Sequence, residues 1–423
     1  MRTLAAEGGT PVRTASWPDW PLVEDEDVEA VARVVREGCW GGGGAEREVR
    51  EFEDAFAAFQ GGTHAIAVNS GTAALQIVLT ALGVGPGDEV IVPAYTFVAS
   101  ATAVLLAGAV PVLVDVEQET YNLDPRAAAA AITPRTKAIL PVHFGGGVAA
   151  MEELEALGRE KGLPLVEDAC HAHGARWNGR GLGSLGAAGC FSFQASKNLA
   201  AGEGGMILTD DAGLAARCRS LRNNGRVEGG AGFEHHLPGG NFRMTGMQAA
   251  LLRSQLRRLE AQTWRRDANG RVLDARLGAI EGIRPMRADP RQDLHSRHLY
   301  LFRYDRERLP NLSRDQFVHA LGAEGIPASP GYPSGLHRQP LFSGVGLRGQ
   351  IPGRPMPHLA GRDPTAVVLP NTDRACAAEA VWLGQNLLLA EPREMDDIVA
   401  AVEKVAARAR VAPARRSPGQ SGG

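Results

Sequence analysis

The sequence predicts an α/β protein: a large domain built on a mostly parallel sheet flanked by helices, followed by a smaller C-terminal α+β domain. Two observations carry that expectation. Short β-branched and apolar runs alternate with helix-period segments over the first half of the chain. Strand-helix alternation of that extent produces a parallel sheet covered on both faces. From Met244 to about Leu277 the pattern changes to one long, arginine-studded helix, which marks a bridge to a second domain.

The strand runs are "HAIAV" from His64, "EVIVPA" from Glu89, "VPVLVDV" from Val110, "KAILPVH" from Lys137, "LPLVED" from Leu163, "GCFSF" from Gly189 and "GMILT" from Gly205. Among the helices, "TAALQIVLTALG" places Leu75, Val78, Leu79 and Leu82 on one face. Beyond the long helix, "HLYLFRYD" from His298 reads as a strand. "RDQFVHALGAEG" from Arg314 and "AEAVWLGQNLLL" from Ala378 read as helices, and Ser334 to Pro364 as loop. The division is 1–265 for the N-terminal segment and large domain, 266–410 for the small domain, and 411–423 for a disordered, breaker-rich tail.

With 423 residues and a net charge of −3, the chain has no excess of positive charge for nucleic acid or an anionic membrane. No apolar run reaches the length of a membrane span, and the first residues lack a signal-peptide core. The cysteines, 5 in all, have no paired spacing, which points to reduced thiols and the cytoplasm.

Lysine is rare here: Lys137, Lys161, Lys197 and Lys404 are the whole set, and arginine carries the remaining positive charge. Arginine stays protonated, whereas a lysine amine can lose its proton and attack a carbonyl. Lys197 follows the "GCFSF" strand, has Ser192 and Ser196 beside it, and leads into the glycine-rich "GEGG". It lacks the charged helix face that Lys161 and Lys404 occupy. "VNSGTAAL" ends a strand in Ser-Gly-Thr at a helix start, either an ordinary N-cap or a phosphate seat in which Gly71 lets the backbone approach. In "VEDACHAHG", Asp168 sits at the carboxyl end of a strand, where open α/β sheets place ligand contacts; the bland reading is a turn cap. Cys170, His171 and His173 are too closely spaced for a tetrahedral metal site. "GLGSLG" from Gly181 matches a dinucleotide fingerprint but precedes a strand, the reverse of the required context. Together, a phosphate seat, an acid for a cationic ring nitrogen and a lysine able to form an imine describe a pyridoxal phosphate site.

At these residues the chain resembles the sugar and cyclitol aminotransferases of the DegT/DnrJ family, fold type I pyridoxal phosphate enzymes. The resemblance runs from "GGTPVR" at Gly8 to about Glu391, through "GPGDEVIVPAYTFVAS", "EDACHAHGA", "FSFQASKN" and "GGNFRMTGMQAALL". "SFQASKN" and "GYPSGLHRQPLF" are similar to a branch that aminates keto-inositols such as scyllo-inosose or makes 3-amino-5-hydroxybenzoate. The resemblance implies that Lys197 carries the cofactor, Asp168 holds the pyridine nitrogen protonated, His171 approaches the ring hydroxyl and Phe97 stacks on the ring. Gly71, Thr72 and Ser192 would bind the phosphate. Asn241 would reach the phosphate of a neighbouring subunit, implying a homodimer with shared sites, while Tyr332 and Arg243 would line the acceptor pocket. The donor would be L-glutamine or L-glutamate and the acceptor a keto-cyclitol or keto-sugar of an antibiotic pathway. One departure stands out: in "HFGGGVAAM" from His143, Gly145 and Ala150 replace an aromatic and an acid common in relatives. Three glycines should loosen this turn and open space near the strand end.

Two other readings compete. A lyase or dehydratase would use the same cofactor without net amination, but sugar-dehydrating relatives carry histidine in place of the lysine. A cofactor-sensing regulator would need a basic DNA-binding module, and none precedes the first motif.

Overall fold

The structure, a computed structural model, describes residues 3–227, 229–230, 234–342 and 367–410. The expected tail at 411–423 and most of the expected loop up to Pro364 lie outside the described residues.

All the strand runs of the first half form strands: β1 (His64–Val68), β2 (Glu89–Pro93), β3 (Val110–Val114), β4 (Thr136–Ile139), β5 (Val166–Asp168), β6 (Ala188–Ser192) and β7 (Gly205–Thr209). They lie in two ladders, β3-β2-β4 and β1-β7-β6-β5, joined by parallel bridges Ile139–Leu165 and Val142–Asp168 into one sheet of order β3-β2-β4-β5-β6-β7-β1. Only β7 runs antiparallel to its neighbours, β1 and β6. The strands are buried along nearly their whole length, as a sheet covered on both faces requires. Helices α1 (Asp25–Glu37) and α2 (Glu46–Gln60) precede the sheet. Then α3 (Gly71–Ala81), α4 (Ala99–Leu106), α5 (Pro125–Ala131), α6 (Met151–Lys161) and α7 (Ala212–Arg222) connect the strands. One face packs Phe52 and Phe56 of α2 edge-on against Phe191 and Phe193, with ring centroids 5.0–5.7 Å apart.

Helix α8 (Gly246–Gly278) starts with a capping box between Thr245 and Gln248 and runs unbroken through residue 265. Its first half packs on α1 and α2; its second half reaches the small domain, where Asn269 donates to the carbonyls of Leu388 and Ala390. That domain holds an antiparallel sheet of β8 (Ile283–Pro285), β9 (Leu299–Tyr304), β10 (Ala328–Ser329) and β11 (Ala380–Gly384), in the order β8-β9-β11-β10. Helices α9 (Arg314–Ala323) and α10 (Met395–Arg410) cover it. The N-terminal segment packs here too: Leu4 joins this core, and Glu324 accepts from the amides of Ala5 and Val12.

The structure corrects one element. "AEAVWLGQNLLL" contains strand β11, not a helix, because Val381 and Leu383 are buried while the alternating Trp382 and Gly384 are partly exposed, a period of two. The apolar run that follows closes as a single 3₁₀ turn, Leu387–Leu389.

The dismissed "GLGSLG" has a structural role. Backbone N–H groups of Gly183, Leu185 and Gly186 donate to the carboxylate of Glu167 at 2.6–2.7 Å. His143 completes the cage at 2.8 Å through Nε2, since its Nδ1 accepts from the amide of Ala149. A fully buried carboxylate is thereby satisfied, and it sits immediately before Asp168.

Candidate functional site

A cavity of about 650 Å³ opens at the carboxyl ends of the parallel strands, against the edge of the small domain. Each wall follows from a strand end. After β1, Ser70 caps α3 by accepting from the amide of Ala73, which leaves the N–H groups of Gly71 and Thr72 without partners inside the helix. A Cβ at Gly71 would lie 2.8 Å from that of Ser192, so glycine is required for the helix start to meet the end of β6. After β2 comes Phe97, 59 % exposed within the cavity mouth. β5 ends in Asp168, whose carboxylate accepts from Ser100 Oγ at 2.7 Å and the amide of Cys170 at 3.2 Å. After β6 the chain turns so that Lys197 faces the cavity, and burial lowers its pKa below the usual lysine range.

His171 lies on the same wall with its pKa pushed far down, first by burial and then by the positive charge of Lys197. Its Nδ1 accepts from the amide of Gly145 at 3.2 Å, so the neutral ring carries its proton on Nε2. Its ring stacks on His298 with centroids 4.2 Å apart. His298 is oriented by Asn198 Oδ1 at 3.0 Å, and Asn198 donates to the carbonyl of Ser296. Tyr332 stands edge-on to Trp382, with centroids 4.8 Å apart, on the small-domain side.

Lys197, Asp168, Gly71, Thr72, Phe97, His171, Ser192 and Tyr332 therefore share one cavity. Asn241 and Arg243 are elsewhere. Asn241 is exposed and its backbone pairs with Asn223, while Arg243 donates to Asn223 Oδ1 at 2.7 Å. Sequence reasoning missed Ser100, His298, Trp20 and Gln385. Ser100 lies three residues beyond Phe97 in a motif already singled out, so the "YTFVAS" run held the signal; the others come from distant segments.

The expected loose glycine turn is tight. Gly145 and Gly146 lie in a buried 3₁₀ turn with φ of 62° and 96°. A Cβ on Gly145 would lie 2.8 Å from Leu301 Cδ1 and one on Gly146 would overlap Ser296 Oγ. Small-domain side chains fill the space that the glycines vacate. A second cavity, of about 390 Å³, lies beside the turn and is lined by Gly147, Ala149 and Ala150 among others.

The donor set fits pyridoxal phosphate: backbone amides and hydroxyls at one end, a buried carboxylate and lysine at the other, and a glycine cradle that a Cβ would fill. Among the described residues no cluster of His, Cys, Asp and Glu could hold a metal ion, and no helix is long and apolar enough to cross a membrane.

Known proteins resemble this chain in sequence and in fold. The chain is 39% identical over 403 residues to a 3-amino-5-hydroxybenzoate synthase of Amycolatopsis mediterranei, covering 94% of this chain and 99% of the relative. It is 39% identical over 421 residues to an L-glutamine:2-deoxy-scyllo-inosose aminotransferase of Streptoalloteichus tenebrarius, covering 95% and 97%. The crystal structure of 3-amino-5-hydroxybenzoic acid synthase superposes with a TM-score of 0.83 at 38% identity, covering 94% of this chain and 100% of that one. DesV of S. venezuelae gives 0.77 at 36% identity, covering 92% and 99%. The family profile matches residues 21–353, and the chain belongs to the DegT/DnrJ/EryC1/StrS aminotransferase family.

Proposed function

We propose that the protein is a pyridoxal phosphate-dependent aminotransferase that moves the amino group of L-glutamine to the ketone of a keto-cyclitol in aminoglycoside-type biosynthesis. The observation that carries the reading is the convergence of Lys197, Asp168 and the α3 terminus on one cavity. When bound, the cofactor supplies an electron sink for the pair released at the donor's α-carbon. Lys197 Nζ would hold it, and Asp168, fixed by Ser100 and Cys170, would face its ring nitrogen. His171 Nε2–H would donate to the ring oxygen, Phe97 would cover the ring, and Gly71, Thr72 and Ser192 would bind the phosphate. Lys197 takes the donor's α-proton and returns a proton in the second half-reaction; burial lowers its proton affinity toward the value a base needs at neutral pH. Tyr332 would border the acceptor.

Asn241 and Arg243, exposed or facing away from this cavity, suit a homodimer in which their segment serves the partner's site. The chain would act in the cytoplasm, with 1–265 holding the N-terminal segment and the large domain and 266–410 the small one. A second reading, formation of an aminohydroxybenzoate, is favoured by the likeness to the Amycolatopsis synthase. Incubation of the reconstituted protein with L-glutamine and 2-deoxy-scyllo-inosose, with products identified by mass spectrometry, separates the two. Amination of the inosose supports the first reading, and no amination of any keto-cyclitol overturns it.

A further inference from the structure

Arg266, in the middle of α8, is fully buried. Its Nε donates to Gln385 Oε1 at 2.8 Å, and its Nη1 and Nη2 have no hydrogen-bond partner among the described residues. The guanidinium stands 5.2 Å from the ring centroid of Trp20, a modest cation–π contact. Among the described residues no carboxylate pairs with it, and burial lowers its pKa to about 9. A buried cation of this kind is destabilising until an anion arrives near it.

Trp20 and Gln385 both line the cavity that contains Lys197. Arginine can only donate, so Gln385 must turn its carbonyl toward Arg266. Its Nε2 amide protons then point away from Arg266, on a side chain that is 4% exposed and borders the cavity. The arrangement is a pair of N–H donors backed by an unneutralised positive charge.

We propose that Gln385, oriented by Arg266, is the seat of a substrate carboxylate, and that this carboxylate belongs to the amino-acid donor. The proposal rests on the aminotransferase reading and deepens it. A polyhydroxylated ketone brings no anion, whereas every amino-acid donor does. In that reading the other anion, the cofactor phosphate, lies at the α3 terminus. Gln385 contacts the substrate; Arg266 is a positioning residue that also supplies the charge.

The test uses the holoenzyme and steady-state kinetics with L-glutamine and with its α-carboxamide analogue. Wild type is expected to favour the acid by about 10- to 100-fold in kcat/KM, the range of a hydrogen bond to a charged group. In Gln385→Leu the donor KM rises by about the same factor, the acceptor KM is unchanged, and the preference for the acid collapses. Arg266→Met removes an unpaired buried charge, so it should raise both the melting temperature and the donor KM. A purely structural arginine would not produce that combination. Equal use of acid and amide by wild type overturns the proposal without any variant. So does an unchanged donor KM in both variants, or a rise confined to the acceptor KM, which assigns the seat to the acceptor. If wild type transfers no amino group from any amino acid, the aminotransferase reading falls as well; if it does so while the variants keep their donor KM, only the seat is lost.

Discussion

Gly71→Ala tests the phosphate end of the site. The added Cβ would stand 2.8 Å from Ser192 Cβ, 3.0 Å from Cys170 Sγ and 3.3 Å from Ser192 Cα. None of these is the free end of a long side chain, so the backbone at the start of α3 or the end of β6 must move. Helix propensity acts in the opposite direction, by up to about 1 kcal/mol for alanine over glycine. Overpacking costs about 1–3 kcal/mol, so the net is a loss of up to about 2 kcal/mol. The same movement pulls the free amides of Gly71 and Thr72 away from Ser192, and pyridoxal phosphate affinity should fall by about 10-fold, the equivalent of about 1.4 kcal/mol. Gly322→Ala is the control: this glycine lies in α9 with nothing within 4 Å of its ideal Cβ. It should stabilise by about 0.5–1 kcal/mol and leave cofactor affinity alone. Thermal melts of the two apo-variants and absorbance titration with pyridoxal phosphate read both effects. Equal melting shifts, with wild-type affinity in Gly71→Ala, would refute the close approach.

Other perturbations follow from the same contacts. Ser100→Ala removes one of the two donors to Asp168 and should lower kcat/KM by about 10- to 100-fold with little change in the far-ultraviolet dichroism; wild-type kinetics would show that Ser100 does not hold the carboxylate. Glu167→Gln replaces an acceptor of three backbone N–H groups and His143 with an amide that has one acceptor oxygen, at a cost of about 3–5 kcal/mol. Denaturant titration checks it, and an unchanged midpoint would contradict the cage. His173 is buried between Phe191 and Phe193, and burial lowers its pKa from 6.5 to about 3. The unfolded chain therefore binds the proton that the folded chain refuses, and stability is lost as pH falls from about 6.5 toward about 3. At pH 5 this amounts to about 2 kcal/mol. His173→Phe should flatten the melting temperature between pH 7.5 and pH 5, and an unaltered slope would exclude this histidine as its source.

Much of the fold could be read from the chain because its local and global signals agree. Buried parallel strands are β-branched runs whatever surrounds them, and α8 has both a capping box and an unbroken period. The run at Ala378 misled because apolar content is shared by strands and helices, and only its pairing with β9 decides between them. The turn at Gly145 and Gly146 misled for a different reason. Glycine permits a loose chain, but it also permits close packing, and side chains more than 145 residues away made the choice. Lys197, Asp168 and the α3 terminus were legible since each sits at a strand end. The Arg266–Gln385 pair was not, because it joins residues more than 100 positions apart with no motif at either, and the His171–His298 stack was not, because only His171 lies in a motif and its partner comes from a distant segment.

The central claim is that Lys197 holds pyridoxal phosphate and that an amino acid discharges its amino group there. A visible absorption spectrum of the purified protein, taken before and after addition of L-glutamine and repeated on Lys197→Ala, tests it most directly. The account predicts a yellow wild-type protein whose band bleaches with L-glutamine, and a variant that binds the cofactor without that band and does not turn over. A colourless wild type that cannot be reconstituted with pyridoxal phosphate, or a variant that still transfers the amino group, would contradict it.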